Sequence, residues 1–398
     1  MVVREPYAGK LARTVLWGGY HRKMVSLPSS PTSTPSASEN ASIPLWADPQ
    51  RQALFEAWFA RVQTSHQLAP DTVRLASADA SFRRYLRVDR HGTNPSTSLV
   101  IMDAPPDKEN CKPFVHVAQL MAQAGLKAPE VLAWDEANGF MLLTDLGAQT
   151  MMQVIRSNEP PPLSLYLEAV ETLIQWQLAS REGVLPAYDR PLLLRELELF
   201  PEWYIGAHRQ VTLDAAQRKT LDDAFATLVT YNLSWPSVYV HRDFMPRNLM
   251  VGAGGVARVH DEKLGVLDFQ DAVYGPITYD IASLMRDAFL SWEEDFCLDV
   301  TIRYWQKARK AGLPVGDDFG EFYKGVEWMG LQRHLKVAGI FARLTLRDGK
   351  PQYLADTPRF IDYIRTTCAR YMELKPLLRL VEKVEGIPVP NAYAFGRT

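Results

Sequence analysis

The sequence predicts an α+β protein of two lobes, a small antiparallel-sheet lobe followed by a larger, mostly helical one. Three observations support this class. Five short β-like runs lie between residues 72 and 144, with one helical pattern inserted among them. Helical patterns fill most of the chain after residue 147, and a single β-like interlude, 238–269, interrupts them. We therefore expect an N-lobe at 48–144, a hinge at 145–147 and a C-lobe at 148–398.

The elements of the N-lobe follow from hydrophobic periodicity. Leu54, Trp58 and Val62 recur at helical spacing in DPQRQALFEAWFARVQ, so the lobe is expected to begin with a helix. The β-like runs are TVRLAS, FRRYLRV, SLVIM, PEVLAWD and GFMLLTD. Between the third and fourth runs, PFVHVAQLMAQAGL predicts a helix that ends at Gly125. The expected N-lobe is a five-stranded sheet with one inserted helix.

Composition narrows the possible partners. The 398 residues carry 44 basic and 46 acidic side chains, which provides no global field for a nucleic acid or an anionic membrane. The first 47 residues form a basic tail that runs into SSPTSTPSASENAS, a composition typical of disorder. The three cysteines lie far apart, which indicates neither a disulfide framework nor a zinc site. No apolar run reaches the ~18 residues of a membrane helix. We therefore expect a cytoplasmic protein. The sequence does not specify its oligomeric state.

The β-like interlude places two carboxylates at the ends of short apolar strands. It reads VYVHRDFMPRNLMV and, after a polar turn, LGVLDFQD, which supplies Asp243, Asn248 and Asp268. Phosphoryl transfer needs an acceptor for the proton of the attacking hydroxyl and oxygen ligands that hold Mg²⁺ against the nucleotide phosphates. HRDFMPRN matches the pattern H-R-D-x-x-x-x-N, and the DF at 268–269 begins a D-F-G motif. The alternative is a solvated hairpin with capping carboxylates, but two such elements in the correct order favour a phosphotransferase.

These segments, HRDFMPRNLM and LGVLDFQDAVYGPITYDIASLMRD, resemble the motifs of the aminoglycoside phosphotransferase and choline kinase superfamily, a small-molecule branch of the protein-kinase-like fold. The resemblance implies ATP and Mg²⁺ as cofactors. It implies that Asp243 is the catalytic base and that His241 braces the catalytic loop. Asn248 and Asp268 would bind the metal. Asp280 resembles the helix-borne carboxylate that steadies this loop, and a helix N-cap is a second role open to it.

A protein kinase is a weaker interpretation of the same motifs. Its activation segment must be long enough to bind a peptide. Here only 11 residues separate Asp268 from Asp280, and no A-P-E motif follows.

The nucleotide is expected between the lobes. By the resemblance, backbone groups near Asp145 and Leu146 in the hinge would pair with adenine. The turn ADASF lies where a phosphate-covering loop belongs; it lacks glycines, but its backbone and the Ser81 hydroxyl can contact phosphate. Arg83 and Arg84 on the next strand can supply charge there, or they can line a solvated strand face.

The third strand departs from the kinase pattern V-A-I-K, because it reads SLVIMDAP and has no lysine. Either Arg83, Arg84 or Lys108 replaces the phosphate-binding lysine, or the protein is a nucleotide-binding pseudokinase. Glu109 is the nearest candidate partner for such a cation. The catalytic-loop carboxylates and amide are all present, which favours an active enzyme.

Several longer runs narrow the resemblance. SADASFRRYLRV, VIMDAPPDKENCKPFVHVA, LELFPEWYIGAH and the DFQDA segment resemble the bacterial anomeric amino-sugar kinases of cell-wall recycling, over roughly residues 50–370. This resemblance implies phosphorylation of N-acetylmuramate and N-acetylglucosamine at the anomeric hydroxyl.

The acceptor residues are less specified than the catalytic loop. Trp203 can offer a flat face to a sugar, and Arg247 and Arg286 can meet a lactyl carboxylate. Core packing for the tryptophan and a surface position for Arg286 are open alternatives. An aminoglycoside or other small-alcohol phosphotransferase is the alternative enzyme, although a polycationic acceptor would favour a more acidic chain than this one.

Overall fold

The N-lobe contains the predicted antiparallel sheet. The computed structural model describes residues 46, 48–78, 82–92, 97–156, 159–252 and 263–388. Ser81 and the predicted tail, apart from Trp46, lie outside this part of the chain. Five strands pair in the order β1-β2-β3-β5-β4. Their bounds are β1 Arg74–Ala78, β2 Arg84–Asp89, β3 Ser98–Asp103, β4 Val131–Asp135 and β5 Phe140–Thr144.

One helix covers each face of this sheet. The two helices are α1, Pro49–His66, and α2, Lys112–Gln123. Successive side chains of a strand point to opposite faces. Ile101 of β3 therefore packs in one apolar cluster with Trp58 of α1. Met102, its neighbour, packs in a second cluster with Phe114 of α2, and this second cluster continues into the C-lobe.

The C-lobe is mostly helical, as predicted. Its helices are α3 Met151–Val154, α4 Leu163–Leu178, α5 Arg190–Leu197, α6 Ala215–Asn232, α7 Thr278–Met285, α8 Glu294–Lys310, α9 Phe319–Leu346, α10 Thr357–Arg370 and α11 Lys375–Glu385. A π-helical segment, Phe200–His208, follows α5. Pro201 in it has no N–H to donate, which favours a departure from the α-helical pattern there.

Helix α9 forms the centre of the C-lobe. It has 28 residues and is buried along most of its length. It approaches the start of the π-helical segment so closely that a Cβ on Gly339 would lie 2.3 Å from the carbonyl oxygen of Leu199. Only glycine permits this contact without a shift of the backbone.

Five short strands lie within the predicted interlude or pair with it. They are β6 Gln149–Thr150, β7 Ser237–Val240, β8 Leu249–Val251, β9 Gly265–Val266 and β10 Val273–Pro276. Within the interlude 238–269, β8 pairs with β9 in an antiparallel arrangement. Strand β7 pairs instead with β10. The two carboxylate-bearing segments thus follow strands of different sheets.

Among the described residues, no helix is both long and apolar enough to cross a bilayer. Cys111, Cys297 and Cys368 are buried and free.

Candidate active site

A cleft of about 600 Å³, counting its space open to solvent, lies between the lobes. Apolar side chains from both lobes line it, namely Tyr85, Val100, Phe114 and Leu143 from the N-lobe and Met250, Leu267 and Phe269 from the C-lobe. Charged groups, Arg83 and Asp268, line the same space. Flat apolar walls with a few charged groups suit a nucleotide base and its phosphates.

The hinge lies in the wall of this cleft, where Asp145 and Leu146 were expected. The Asp145 carboxylate accepts hydrogen bonds from Arg87 at 2.6 Å, from Ser98 at 2.6 Å and from the Gly147 N–H at 3.0 Å. Its side chain therefore fixes the hinge and is not directed at a ligand. Within the described ranges, the backbone N–H and C=O of Leu146 make no hydrogen bond, so they are available to a base in the cleft.

The three candidate replacements for the missing lysine lie in different environments. Arg83 is 4% exposed, lines the cleft and approaches Glu109 at 3.3 Å. Arg84 points to the opposite face of the sheet, where it donates to Asp103 at 2.8 Å. Lys108 is half-exposed and pairs with the neighbouring Asp107 at 3.3 Å. Only Arg83 of these three brings a cation into the cleft.

The catalytic loop between β7 and β8 is held by one buried carboxylate. Asp280, the third residue of α7, accepts the N–H of His241 at 2.6 Å and the N–H of Arg242 at 3.0 Å. Arg242 has a φ of 76°, a left-handed conformation that costs a non-glycine residue about 1–3 kcal/mol. The two hydrogen bonds that Asp280 accepts stabilise the loop in this strained conformation.

His241 links the two halves of the site. Its Nδ1 accepts the N–H of Asp243 at 3.2 Å, so its Nε2 carries the proton donated to the carbonyl oxygen of Leu267 at 3.0 Å. Burial lowers the pKa of His241 to about 4. The imidazole is therefore neutral near pH 7 and braces the catalytic loop against the segment that precedes Asp268.

Asp243 is buried, and its Oδ1 has no hydrogen-bond partner in the described part of the chain. Burial raises the pKa of this carboxyl to about 6, and the Asp268 carboxylate acts in the same direction. Lys336 and Arg333 of α9 oppose that rise. An oriented carboxylate with an unused oxygen and a pKa near neutrality can accept a proton from a hydroxyl.

A cluster of buried charged side chains from α5 and α9 contacts the catalytic loop. The carboxylate of Glu196 in α5 lies 2.8 Å from the ammonium group of Lys336, and it also forms an ion pair with Arg242. Arg333 donates to the carbonyl oxygen of Arg242 at 2.6 Å. Burial alone would raise the pKa of Glu196, but the cations of Lys336 and Arg242 lower that pKa to about 2, so the Glu196 carboxylate is charged near pH 7. Our sequence reasoning missed this cluster; the only signal was the charged run QRHLK inside the apolar pattern of α9.

Asn248 and Asp268 are adjacent because the Leu267 N–H donates to the Asn248 carbonyl oxygen at 2.9 Å. The side-chain NH2 of Asn248 donates to the backbone carbonyl oxygen of Asp243 at 2.8 Å. The Oδ1 of Asn248 therefore points away from that carbonyl. Asp268 has a φ of 60° and accepts from Gln270 at 2.8 Å. In the described ranges no group of three or more His, Cys, Asp or Glu could hold a metal. One carboxylate and one amide oxygen match a Mg²⁺ ion that takes its other ligands from phosphates and water.

The three candidate acceptor residues have different neighbours. Arg247 belongs to the catalytic loop, and its guanidinium lies 4.3 Å from the ring centroid of Phe289. Arg286 donates to Glu294 and to Tyr323, at 3.2 and 2.9 Å. Trp203, in the π-helical segment, is half-buried against the C-lobe core. Arg247 alone among them adjoins the catalytic loop.

Comparisons with known proteins agree with this geometry. Residues 72–318 match the phosphotransferase enzyme family. The N-acetylmuramate/N-acetylglucosamine kinase of Neisseria meningitidis serogroup B is 47% identical over 339 residues, covering 85% of this chain and 97% of that protein. The protein of the same name from Pseudomonas aeruginosa is 46% identical, covering 79% and 89%.

A solved structure extends the agreement to the fold. The GDP complex of wild-type aminoglycoside 2'-phosphotransferase-IIIa aligns with a TM-score of 0.52 at 14% identity, covering 79% of this chain and 98% of that one. The sequence, the fold and a cleft between the lobes lined by Asp268 therefore agree, and the chain belongs to the phosphotransferase enzyme family.

Proposed function

We propose that this phosphotransferase is an ATP- and Mg²⁺-dependent kinase that phosphorylates the anomeric hydroxyl of N-acetylmuramate and N-acetylglucosamine, in peptidoglycan recycling. The observation that carries the proposal is the 47% identity over 97% of a relative with that name. The catalytic-loop carboxylate and the metal-type ligands of this chain support the same chemistry. ATP supply makes the cytoplasm the expected location.

The nucleotide would lie in the cleft between the lobes. Its base would pack between apolar walls such as Val100 and Met250 and pair with the backbone of Leu146. Arg83, positioned by Glu109, would bind the phosphates in place of the missing lysine. A guanidinium suits this task because it presents several N–H donors in one plane.

Asn248 and Asp268 would hold the metal. The unused face of the Asn248 amide oxygen and the strained backbone of Asp268 fit a role as ligands. When bound, Mg²⁺ neutralises charge on the phosphates. The remaining chemistry belongs to residues of this chain.

Asp243 would act as the base. It would accept the proton of the acceptor hydroxyl as that oxygen bonds to the γ-phosphorus and the bond to the bridging oxygen of ADP breaks. An anomeric hydroxyl is more acidic than an ordinary alcohol, so a carboxylate suffices to orient it and take its proton late. His241 and Asp280 would keep Asp243 in place through the catalytic loop.

The test is an acceptor panel. We would measure ADP release with N-acetylmuramate, N-acetylglucosamine, kanamycin, choline and no acceptor, for the wild type and Asp243→Asn. The proposal predicts turnover with the two amino sugars and a fall of roughly 10²-fold or more in kcat for the variant, with nearly unchanged ATP affinity. Turnover with kanamycin or choline but not with the amino sugars would contradict the proposed acceptor and indicate an aminoglycoside or small-alcohol phosphotransferase. ATP binding without any turnover would indicate a pseudokinase.

A further inference from the structure

The segment after α7 carries a buried carboxylate that the catalytic machinery described above does not use. Asp287 is 1% exposed. Its Oδ1 accepts the Phe289 N–H at 3.3 Å, while its Oδ2 has no hydrogen-bond partner among the described residues. A buried polar atom left without a partner is uncommon in a folded protein and calls for a functional or structural reason.

The position of Asp287 connects it to the catalytic loop. Helix α7 begins beside the loop, where Asp280 accepts the two loop N–H groups, and Asp287 follows the other end of the helix. Arg247, at the far end of the loop, interacts electrostatically with the Asp287 carboxylate. The guanidinium of Arg247 covers the ring of Phe289, two residues beyond Asp287.

This segment is also held rigidly. Arg359 of α10 donates to the carbonyl oxygens of Ala288 and Phe289, at 2.8 and 2.9 Å. Burial raises the pKa of Asp287, whereas the N–H groups of the segment and the cation of Arg247 stabilise the charged form. The unused oxygen thus lies on a firmly held segment, within electrostatic range of a cation of the catalytic loop.

From these contacts we infer that Asp287 and Arg247 form a recognition pair for the acceptor. Asp287 Oδ2 accepts a hydrogen bond from a hydroxyl or amide N–H of a polyhydroxylated acceptor, and Arg247 binds an acidic substituent on the same molecule. The inference rests on the proposed function and adds the residues that select the acceptor. A hydroxyl donor gives the orphan oxygen its partner, and a carboxylate placed on Arg247 makes a charge-assisted contact.

Asp287→Asn tests the first half of the pair, since it keeps the shape of the side chain and removes its charge. We expect the KM for the acceptor to rise about 10-fold or more, from the loss of a hydrogen bond to a charged group. The KM for ATP and the thermal midpoint should change little. A lower midpoint with an unchanged KM for the acceptor would overturn the inference and leave Asp287 a structural role.

Arg247→Met tests the second half and stays informative even if the Asp287 variant does not fold. Its effect on KM should be at least several-fold larger for N-acetylmuramate, which bears a carboxylate, than for N-acetylglucosamine, which lacks one. Equal effects on the two sugars would contradict the pairing. If the wild type phosphorylates a different alcohol, the proposed function fails, and the KM of that alcohol in the Asp287 variant still decides this inference.

Discussion

Replacing Arg83 separates a phosphate-binding role from a structural one. Arg83 lines the cleft, and its buried guanidinium lies 3.3 Å from the buried carboxylate of Glu109. The Arg83→Met substitution removes the cation of this pair and keeps the Glu109 carboxylate buried. The double variant Arg83→Met/Glu109→Met removes both charges and keeps apolar volume at both positions.

The expected magnitudes differ between stability and nucleotide binding. Breaking a buried ion pair from one side costs about 3–5 kcal/mol, whereas replacing both partners with apolar side chains is often nearly neutral. The double variant should therefore recover most of the free energy of unfolding that Arg83→Met loses. The KM for ATP should stay raised in both, by about 10-fold to 100-fold, because hydrogen bonds to charged groups contribute about 1.5–3 kcal/mol.

The assay combines urea unfolding with the KM for ATP at saturating acceptor. Arg84→Met is the matched control, because Arg84 lies on the opposite face of the sheet and pairs with Asp103. It should leave the KM for ATP unchanged. The reasoning is refuted if the double variant has a normal KM for ATP, or if Arg84→Met raises it as much as Arg83→Met does.

Three further substitutions test other parts of the structure. Asp280→Asn should lower kcat and cost about 1.5–3 kcal/mol, because an amide offers one acceptor to the N–H groups of His241 and Arg242, measured by turnover and urea unfolding. Burial lowers the pKa of His334 to about 3, so the unfolded chain binds a proton that the folded chain does not. Wild-type stability should thus fall by about 2 kcal/mol between pH 8 and pH 5 through this residue, a loss absent in His334→Gln. Gly339→Ala should destabilise by about 1–3 kcal/mol through its clash with a backbone carbonyl, measured by urea unfolding.

Each of these has a contrary result. Unchanged kcat in the Asp280 variant would mean that the loop holds its strained backbone without that carboxylate. Parallel pH profiles for the wild type and the His334 variant would mean that this histidine titrates alike in the folded and unfolded chains. A more stable Gly339 variant would mean that helix propensity outweighs the clash.

The two-lobed architecture was predictable because its signals are local. The β-like runs of the N-lobe and the helical patterns of the C-lobe each contain their own periodicity, and the sheet and helices confirm them. The pairing of β7 with β10 was not predictable. Both strands have four residues, and so short an apolar run carries no information about its partner.

The candidate active site was likewise predictable only in part. The catalytic-loop motif is contiguous, so Asp243 and Asn248 could be singled out from sequence. The choice between Arg83 and Arg84 could not be made, because alternation places them on opposite faces without saying which face borders the cleft. The supporting charges were missed because they come from distant segments; Arg333 contacts a loop residue 91 positions away.

The most direct test of the account is the position of the phosphate in the product. Phosphorus NMR of the product from ATP, Mg²⁺ and N-acetylmuramate should show a phosphorus nucleus coupled to the anomeric proton, with loss of the reducing end. The same sample with the Asp243→Asn variant should show only a trace of this signal. A phosphate coupled to the protons of C6, or carried on any other non-anomeric oxygen, would contradict the proposed reaction.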